Sequence, residues 1–215
     1  MRLRCDRSSV LFLLLCSVVP VRARQPASGL PDFGRDTVLM WKIRNLEYKA
    51  DFVVRIAQFL PDRYIEWEDD VTQGTVFMPG EDIEAAKGYV NSNLFKSGSD
   101  TKGHRATTLW LSRNIYRELK ANKKAKCVIN GSEGRFAALG EDALDVEVNR
   151  KILSLPVLKV MDDRKEERWF LDVEDNPLMV FHRFRHYSQT LTGITTDRPN
   201  TLRWIKGKKL AVPPH

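Results

Sequence analysis

Residues 144–160 read LDVEVNRKILSLPVLKV, two runs rich in branched aliphatic residues separated by the polar triplet Asn149-Arg150-Lys151. Apolar runs of this length on either side of a short polar turn are typical of a pair of antiparallel β-strands. Similar runs flank this pair, at residues 126–129, 135–139, 168–173 and 178–187. Turn signals separate them, at residues 130–131, 140–142, 162–167 and 175–177. The sequence therefore predicts an antiparallel meander over its C-terminal half.

The N-terminal half adds further strands and two helices. Strand-like runs lie at residues 38–43, 52–59, 64–68 and 75–78. Apolar residues at helical spacing predict helices over residues 81–93 and 113–121, with Ser112 as the N-cap of the second. We expect a mainly β (α+β) domain over residues 37–196, a curved antiparallel meander sheet or partial barrel with two short helices packed on it.

The first 23 residues have the pattern of a secretory signal peptide. Arg2, Arg4 and Arg7 form a basic start, and the apolar run 10–19 is shorter than the roughly 20 residues needed to span a bilayer. We expect cleavage after Ala23, which makes the mature protein periplasmic or secreted with no transmembrane segment. Residues 24–36 are predicted to be a flexible leader and residues 197–215 a basic C-terminal arm.

Removal of the signal peptide changes the charge and the cysteine count. The formal charge of the full chain is +7, and residues 1–23 carry four arginines against one acid, so the remainder is only +4. Such a small, dispersed excess argues against nucleic-acid binding. Cys127 is then the single remaining thiol, which excludes an internal disulfide and favours a small buried apolar role.

Residues 168–186, RWFLDVEDNPLMVFHRFRH, form two strand-like runs around an Asp-Asn-Pro turn. This segment resembles the end of uncharacterised bacterial exported β-sheet proteins, which are distantly similar to periplasmic lipoprotein carriers. The resemblance covers the C-terminal third of the chain. It implies a curved antiparallel sheet partly wrapped around a helix, and binding or transport of an envelope ligand.

The aromatic residues of the predicted strands give the first set of candidate ligand-binding residues. If the two helices leave part of a curved sheet uncovered, the open face becomes an apolar groove. Basic residues near its end could meet anionic headgroups or polysaccharide. The candidates are Trp41, Trp67, Trp169, Phe184, Arg183 and Arg185.

A second, polar set of candidates would suit hydrolysis. Two carboxylates that converge in a cleft beside an imidazole can act as general acid and base. The residues considered are Glu66, Glu68, Asp172, His182 and His186. Each has a simpler interpretation as a solvated strand charge or a turn cap, and the acids of residues 162–167 are interpreted as a solvated hairpin tip.

The sequence contains no motif for a metal, a nucleotide or a catalytic nucleophile. His182 and His186 are four residues apart, a metal-binding spacing on a helix, but on a strand this separation is roughly 13 Å. We therefore expect no metal and no cofactor.

Three functions remain open. The first is a non-catalytic exported protein of the bacterial cell envelope that binds or carries an apolar or anionic ligand, or assists envelope assembly. The second is an envelope-directed hydrolase that uses paired carboxylates. The third is a protein-interaction module that uses the C-terminal arm. Partners would be an envelope lipid, a polysaccharide or a protein, and the sequence leaves the oligomeric state open.

Overall fold

A computed structural model describes residues 30–91, 94–98 and 100–196. Within these ranges the chain is mainly β, with two helices, which confirms the predicted fold class. The predicted signal peptide and C-terminal arm lie outside the described residues. No helix in the described ranges is long and apolar enough to cross a membrane.

The strands join into one sheet in which most neighbours are antiparallel. The first four strands are β1 (Val38–Arg44), β2 (Lys49–Gln58), β3 (Arg63–Glu68) and β4 (Gln73–Met78). Three short strands follow, β5 (Gly88–Tyr89), β6 (Asp100–Lys102) and β7 (Ala106–Thr107). The last six are β8 (Lys124–Ile129), β9 (Ser132–Val148), β10 (Lys151–Asp162), β11 (Glu167–Leu171), β12 (Met179–Phe184) and β13 (Tyr187–Thr195).

Two meanders meet at β13. The strands β1 to β4 form one meander and β8 to β13 form the other, and β13 pairs antiparallel with β1 to join them. β13 also makes a short parallel pairing with β9, at Gly193 and Ile194. The strands β9 to β13 thus form a closed ring of pairings, while the β1–β4 meander continues the sheet from β13 outside this ring.

The helix α2 (Arg113–Asn122) agrees with the sequence-based prediction. The Ser112 hydroxyl accepts a hydrogen bond from the amide of Ile115, which supplies the predicted N-cap. Lys123 ends the helix in the left-handed conformation. The buried stripe of Ile115, Tyr116 and Leu119 packs against the sheet, as the helical spacing predicts.

The helix α1 (Gly80–Ala85) is much shorter than predicted. The sequence favours a helix through residue 93, but Gly88 and Tyr89 are extended and pair with β7 and β8. A Cβ at Gly88 would lie 2.8 Å from the Ala106 Cβ. The close approach of these strands therefore accounts for the glycine and ends the helical stretch.

Strand β9 runs through a predicted turn. The sequence indicates two strands, 135–139 and 144–148, but the structure has a single strand across both. Gly140 adopts φ +145°, and the register against β10 shifts between Lys159 and Val160. This irregularity absorbs the turn-like residues without interrupting the pairing.

The core continues into the predicted leader. Phe33 is buried and its ring stacks on Phe59, with centroids 5.9 Å apart. Cys127 is buried on β8, as expected for a small apolar residue.

Candidate functional site

A cleft of about 410 Å³ is lined by strands β1 to β3 on one side and by strands β12 and β13 on the other, together with residues of the connecting segments. Its apolar lining consists of Ile43, Phe52, Trp67, Phe95, Leu109 and Phe184. Its polar lining consists of Asp69, Thr72, Asn91, Glu166, His182, Tyr187 and Gln189. The volume falls in the range of about 300–1,000 Å³ that is usual for small-molecule sites.

Three aromatic rings make one wall of the cleft. Phe52 on β2 and Trp67 on β3 lie side by side on the inner face, with centroids 6.1 Å apart. Phe95 meets both edge-on, at 5.1 Å from Phe52 and 5.4 Å from Trp67. The indole Nε1 of Trp67 is buried and has no hydrogen-bond partner. This nitrogen has no accessible surface, so the wall presents only apolar surface to the cleft.

Glu166 and His182 form the polar inner end of the cleft. The imidazole Nε2 of His182 lies 3.0 Å from the carboxylate Oε2 of Glu166. The same oxygen accepts hydrogen bonds from the Arg168 guanidinium and from the side-chain amide of Asn91. Three donors thus converge on one carboxylate oxygen.

Arg168 connects this carboxylate to a second one behind it. The guanidinium is fully buried and binds Asp162 Oδ2 at 3.1 Å as well as Glu166. Its Nε donates to the Asn91 side chain, and its cation lies over the rings of Tyr89 and Phe136. The other oxygen of Asp162 accepts from two backbone amides of the β10–β11 turn. Every charged group of this network is therefore paired.

Burial determines the protonation of the cleft. Burial, and next the cation of Arg168, lower the pKa of His182 to about 4 although Glu166 opposes the shift, so the imidazole is neutral at pH 7. Burial raises the pKa of Tyr187 to about 12, which keeps its hydroxyl protonated. This hydroxyl donates to the Gln189 side chain.

Asp69 supplies a negative charge at the cleft rim. Burial alone would raise the pKa of this carboxyl, but hydrogen bonds from Thr72 and from the amide of Val71 together lower it below its usual value. The amide nitrogens of Thr72 and Val71 lie 2.6 and 2.9 Å from Oδ1. Asp69 is therefore an ionised carboxylate at neutral pH.

Three of the residues predicted from sequence line this cleft: Trp67, Phe184 and His182. The aromatic residue Trp41 instead lies in the closed core, where its indole donates to the carbonyl of Met179. Trp169 packs against Phe181 on the opposite face of the sheet. Of the predicted aromatic residues, Trp67 and Phe184 therefore line the cleft, Trp41 lies in the core, and Trp169 lies on the outer face of the sheet.

The predicted basic residues also lie elsewhere. Arg183 forms an ion pair with Glu167 on the outer face. Arg185 has positive φ in the β12–β13 turn, where its guanidinium stacks over the Phe184 ring. Neither arginine lines the cleft.

The predicted carboxylates do not converge. Glu66 is held by Arg55, its cross-strand neighbour, with Nε and Oε2 2.8 Å apart. Asp172 accepts hydrogen bonds from Tyr116 and Lys120 of helix α2. Glu68 lies at the end of β3 opposite Val53. His186 is exposed in the β12–β13 turn.

The sequence interpretation missed the carboxylate at the centre of the site. It assigned residues 162–167 to a solvated hairpin tip, yet Asp162 and Glu166 are buried. The alternation of the flanking strands carries a signal for this, because Asp162 continues the inward series of Leu158 and Val160. Arg168 shares its inward face with Phe170 in the same way.

Comparison with protein-family models and with curated protein sequences found no match. Across the described ranges, no three histidine, cysteine, aspartate or glutamate side chains are grouped as metal ligands would be.

Proposed function

We propose that this chain is an exported, non-catalytic β-sheet protein of the bacterial cell envelope that binds a small amphipathic molecule in the cleft. The observation that carries the proposal is the joint lining of the cleft, with aromatic rings on one wall and the Glu166–His182 pair at the inner end. Rings of this kind take up an apolar chain, and the buried polar groups fix the orientation of a polar head.

Two further features support a binding role. The polar network behind the cleft is fully paired, so it is rigid and can present the same surface to each ligand molecule. The signal-peptide pattern of residues 1–23 and the resemblance of residues 168–186 to exported β-sheet proteins favour an envelope ligand.

Native mass spectrometry of the protein purified from its own cell envelope tests the proposal. We expect a co-purifying small molecule, and a new N-terminus at Arg24 after signal cleavage. A Phe184→Ala variant should lose the bound mass because it removes part of the cleft wall.

Phe181→Ala is the matched control. Phe181 lies on the same strand and is also half-buried, but it packs against Trp169 outside the cleft. Its variant should keep the bound molecule. An empty wild-type protein, or equal loss in both variants, would count against a ligand in the cleft.

Hydrolysis is the second candidate, because a carboxylate and an imidazole touch within the cleft. The Glu166 carboxylate is poorly placed to act as a general base itself, because Oε2 already accepts hydrogen bonds from Arg168 and Asn91. A His182→Gln variant separates the two functions. If it retains the bound ligand, and if it hydrolyses envelope-derived esters and glycans at the same rate as the wild-type protein, the result favours binding over hydrolysis.

The interaction-module prediction rests on residues outside the described ranges.

A further inference from the structure

The charge of the cleft limits the kind of polar head it can accept. Asp69 at the rim and Glu166 at the inner end are both carboxylates, and no lysine or arginine belongs to the lining among the described residues. Arg168 lies behind the surface, where its one positive charge is shared between Asp162 and Glu166. Two carboxylates against one guanidinium leave one negative charge at the inner end, and Asp69 adds another.

Among the neighbouring groups, the Arg185 guanidinium stacks on the Phe184 ring but does not belong to the lining of the cleft. His182 is neutral at pH 7, and the Tyr187 hydroxyl is protonated. An anionic head would therefore meet carboxylates without the guanidinium or ammonium donors that normally bind phosphate, sulfate or carboxylate groups. This argues against the anionic ligand that the basic residues of the sequence suggested.

The aromatic wall favours a positive charge as well. The faces of indole and phenyl rings carry negative electrostatic potential, which attracts ammonium and above all alkylated ammonium groups. Phe52, Trp67 and Phe95 form a three-ring cluster, and Tyr187 lies on the His182 side of the same cleft. Aromatic rings together with carboxylates are the usual surroundings of a bound organic cation.

We propose that the ligand of the cleft is a cationic amphiphile, an alkyl chain that bears an amine or quaternary ammonium head. This inference rests on the proposed binding function and adds the sign of the head group. The apolar chain lies along the wall of Phe52 and Phe95, and the cation lies between Asp69 and Glu166.

Isothermal titration calorimetry with three probes of equal chain length tests the inference. The probes are octyltrimethylammonium, octanoate and octyl glucoside, each used below its micelle concentration with the signal-cleaved protein. We expect octyltrimethylammonium to bind at least about tenfold more tightly than octanoate, because the two carboxylates attract one and repel the other.

An Asp69→Asn variant should weaken octyltrimethylammonium binding about three- to tenfold, and should weaken octyl glucoside binding by a smaller factor because that probe carries no charge. The amide oxygen of asparagine can still accept from the Val71 and Thr72 amides, so the turn is retained. Asp70→Asn removes the same charge from the neighbouring exposed residue, which does not line the cleft, and should have little effect. Circular dichroism confirms that both variants are folded.

Two outcomes separate this inference from the function on which it depends. Octanoate binding as tight as that of octyltrimethylammonium would overturn the cationic head while leaving a binding cleft in place. Failure of all three probes to bind would overturn the binding function itself.

Discussion

Arg168 holds two buried carboxylates together behind the cleft. Its side chain is fully buried, and both Asp162 and Glu166 are nearly so. Burial of charges is costly unless each is paired, so the guanidinium decides whether this part of the interior is stable. Its side chain also places Glu166 against His182, which links the stability of the core to the geometry of the site.

Arg168→Met should lower the free energy of unfolding by about 3–5 kcal/mol, because two carboxylates are left buried without a counterion. Urea denaturation followed by tryptophan fluorescence measures the change. Arg135→Met is the control, since its ion pair with Asp163 is largely exposed, and we expect it to cost less than about 1 kcal/mol. Equal losses in the two variants would refute the role assigned to Arg168.

His182 should make the protein sensitive to mild acid. Its pKa is about 4 in the folded protein, against about 6.5 for an unperturbed histidine. Between these values the unfolded chain binds more protons, so the free energy of unfolding falls as the pH is lowered from about 6.5 towards 4. Above pH 6.5 this contribution no longer changes.

A His182→Gln variant should have a flatter stability profile in that interval, measured by urea denaturation at a series of pH values. His186→Gln should retain the wild-type slope, because His186 is exposed. A slope that is unchanged in His182→Gln would show that another group is responsible.

At the scale of single elements, Gly140 allows β9 to continue through what would otherwise be a turn. Its φ of +145° is unfavourable for any residue with a side chain, although no atom lies within 4 Å of the position a Cβ would take. Gly140→Ala should therefore destabilise the protein by about 1–3 kcal/mol through backbone strain alone.

Thermal and urea unfolding measure this loss. Gly134→Ala, on the same strand, is the control, because its added Cβ would meet only ordinary contacts, the nearest at 3.5 Å. Its stability should stay close to wild type. Equal stability of the two variants would contradict the claim that strand β9 needs a glycine with positive φ at position 140.

Local patterns predicted most elements but not those that depend on distant partners. Helix α2 follows from Ser112 and its apolar stripe, and the β3–β4 hairpin from strict alternation. Helix α1 was predicted too long because residues beyond 85 have helical spacing, while their pairing with β7 and β8 is set by segments far along the chain. The site follows the same rule: Trp67 and His182 were found from strand patterns, whereas Glu166 depends on Arg168 and Asn91.

At the scale of the whole molecule, Cys127 can report on global unfolding. It is buried on β8, and burial raises the pKa of its thiol to about 12. Both effects suppress the thiolate that reacts with disulfide reagents. In a Cys5→Ser/Cys16→Ser background, the native protein should react at least about a hundredfold more slowly than the protein in urea.

Val128→Cys provides the contrast. It is the next residue on the same strand, faces outward and is 36% exposed, so its thiol should react rapidly in the native state. Spectrophotometric thiol titration measures both rates. Rapid reaction of Cys127 in the native protein would mean that β8 opens locally without global unfolding.

The pairings of β13 have a consequence for how the chain reaches its native state. This strand pairs with β1, β12 and β9, yet it follows all of them in the order of synthesis. Synthesis from the N-terminus therefore completes the β1–β4 meander and most of the ring before the strand that joins them. Contacts between segments so distant in sequence form slowly. Under the proposed export, the two walls of the cleft come together only after β13 has crossed the membrane, so this part of the chain stays unfolded during its passage.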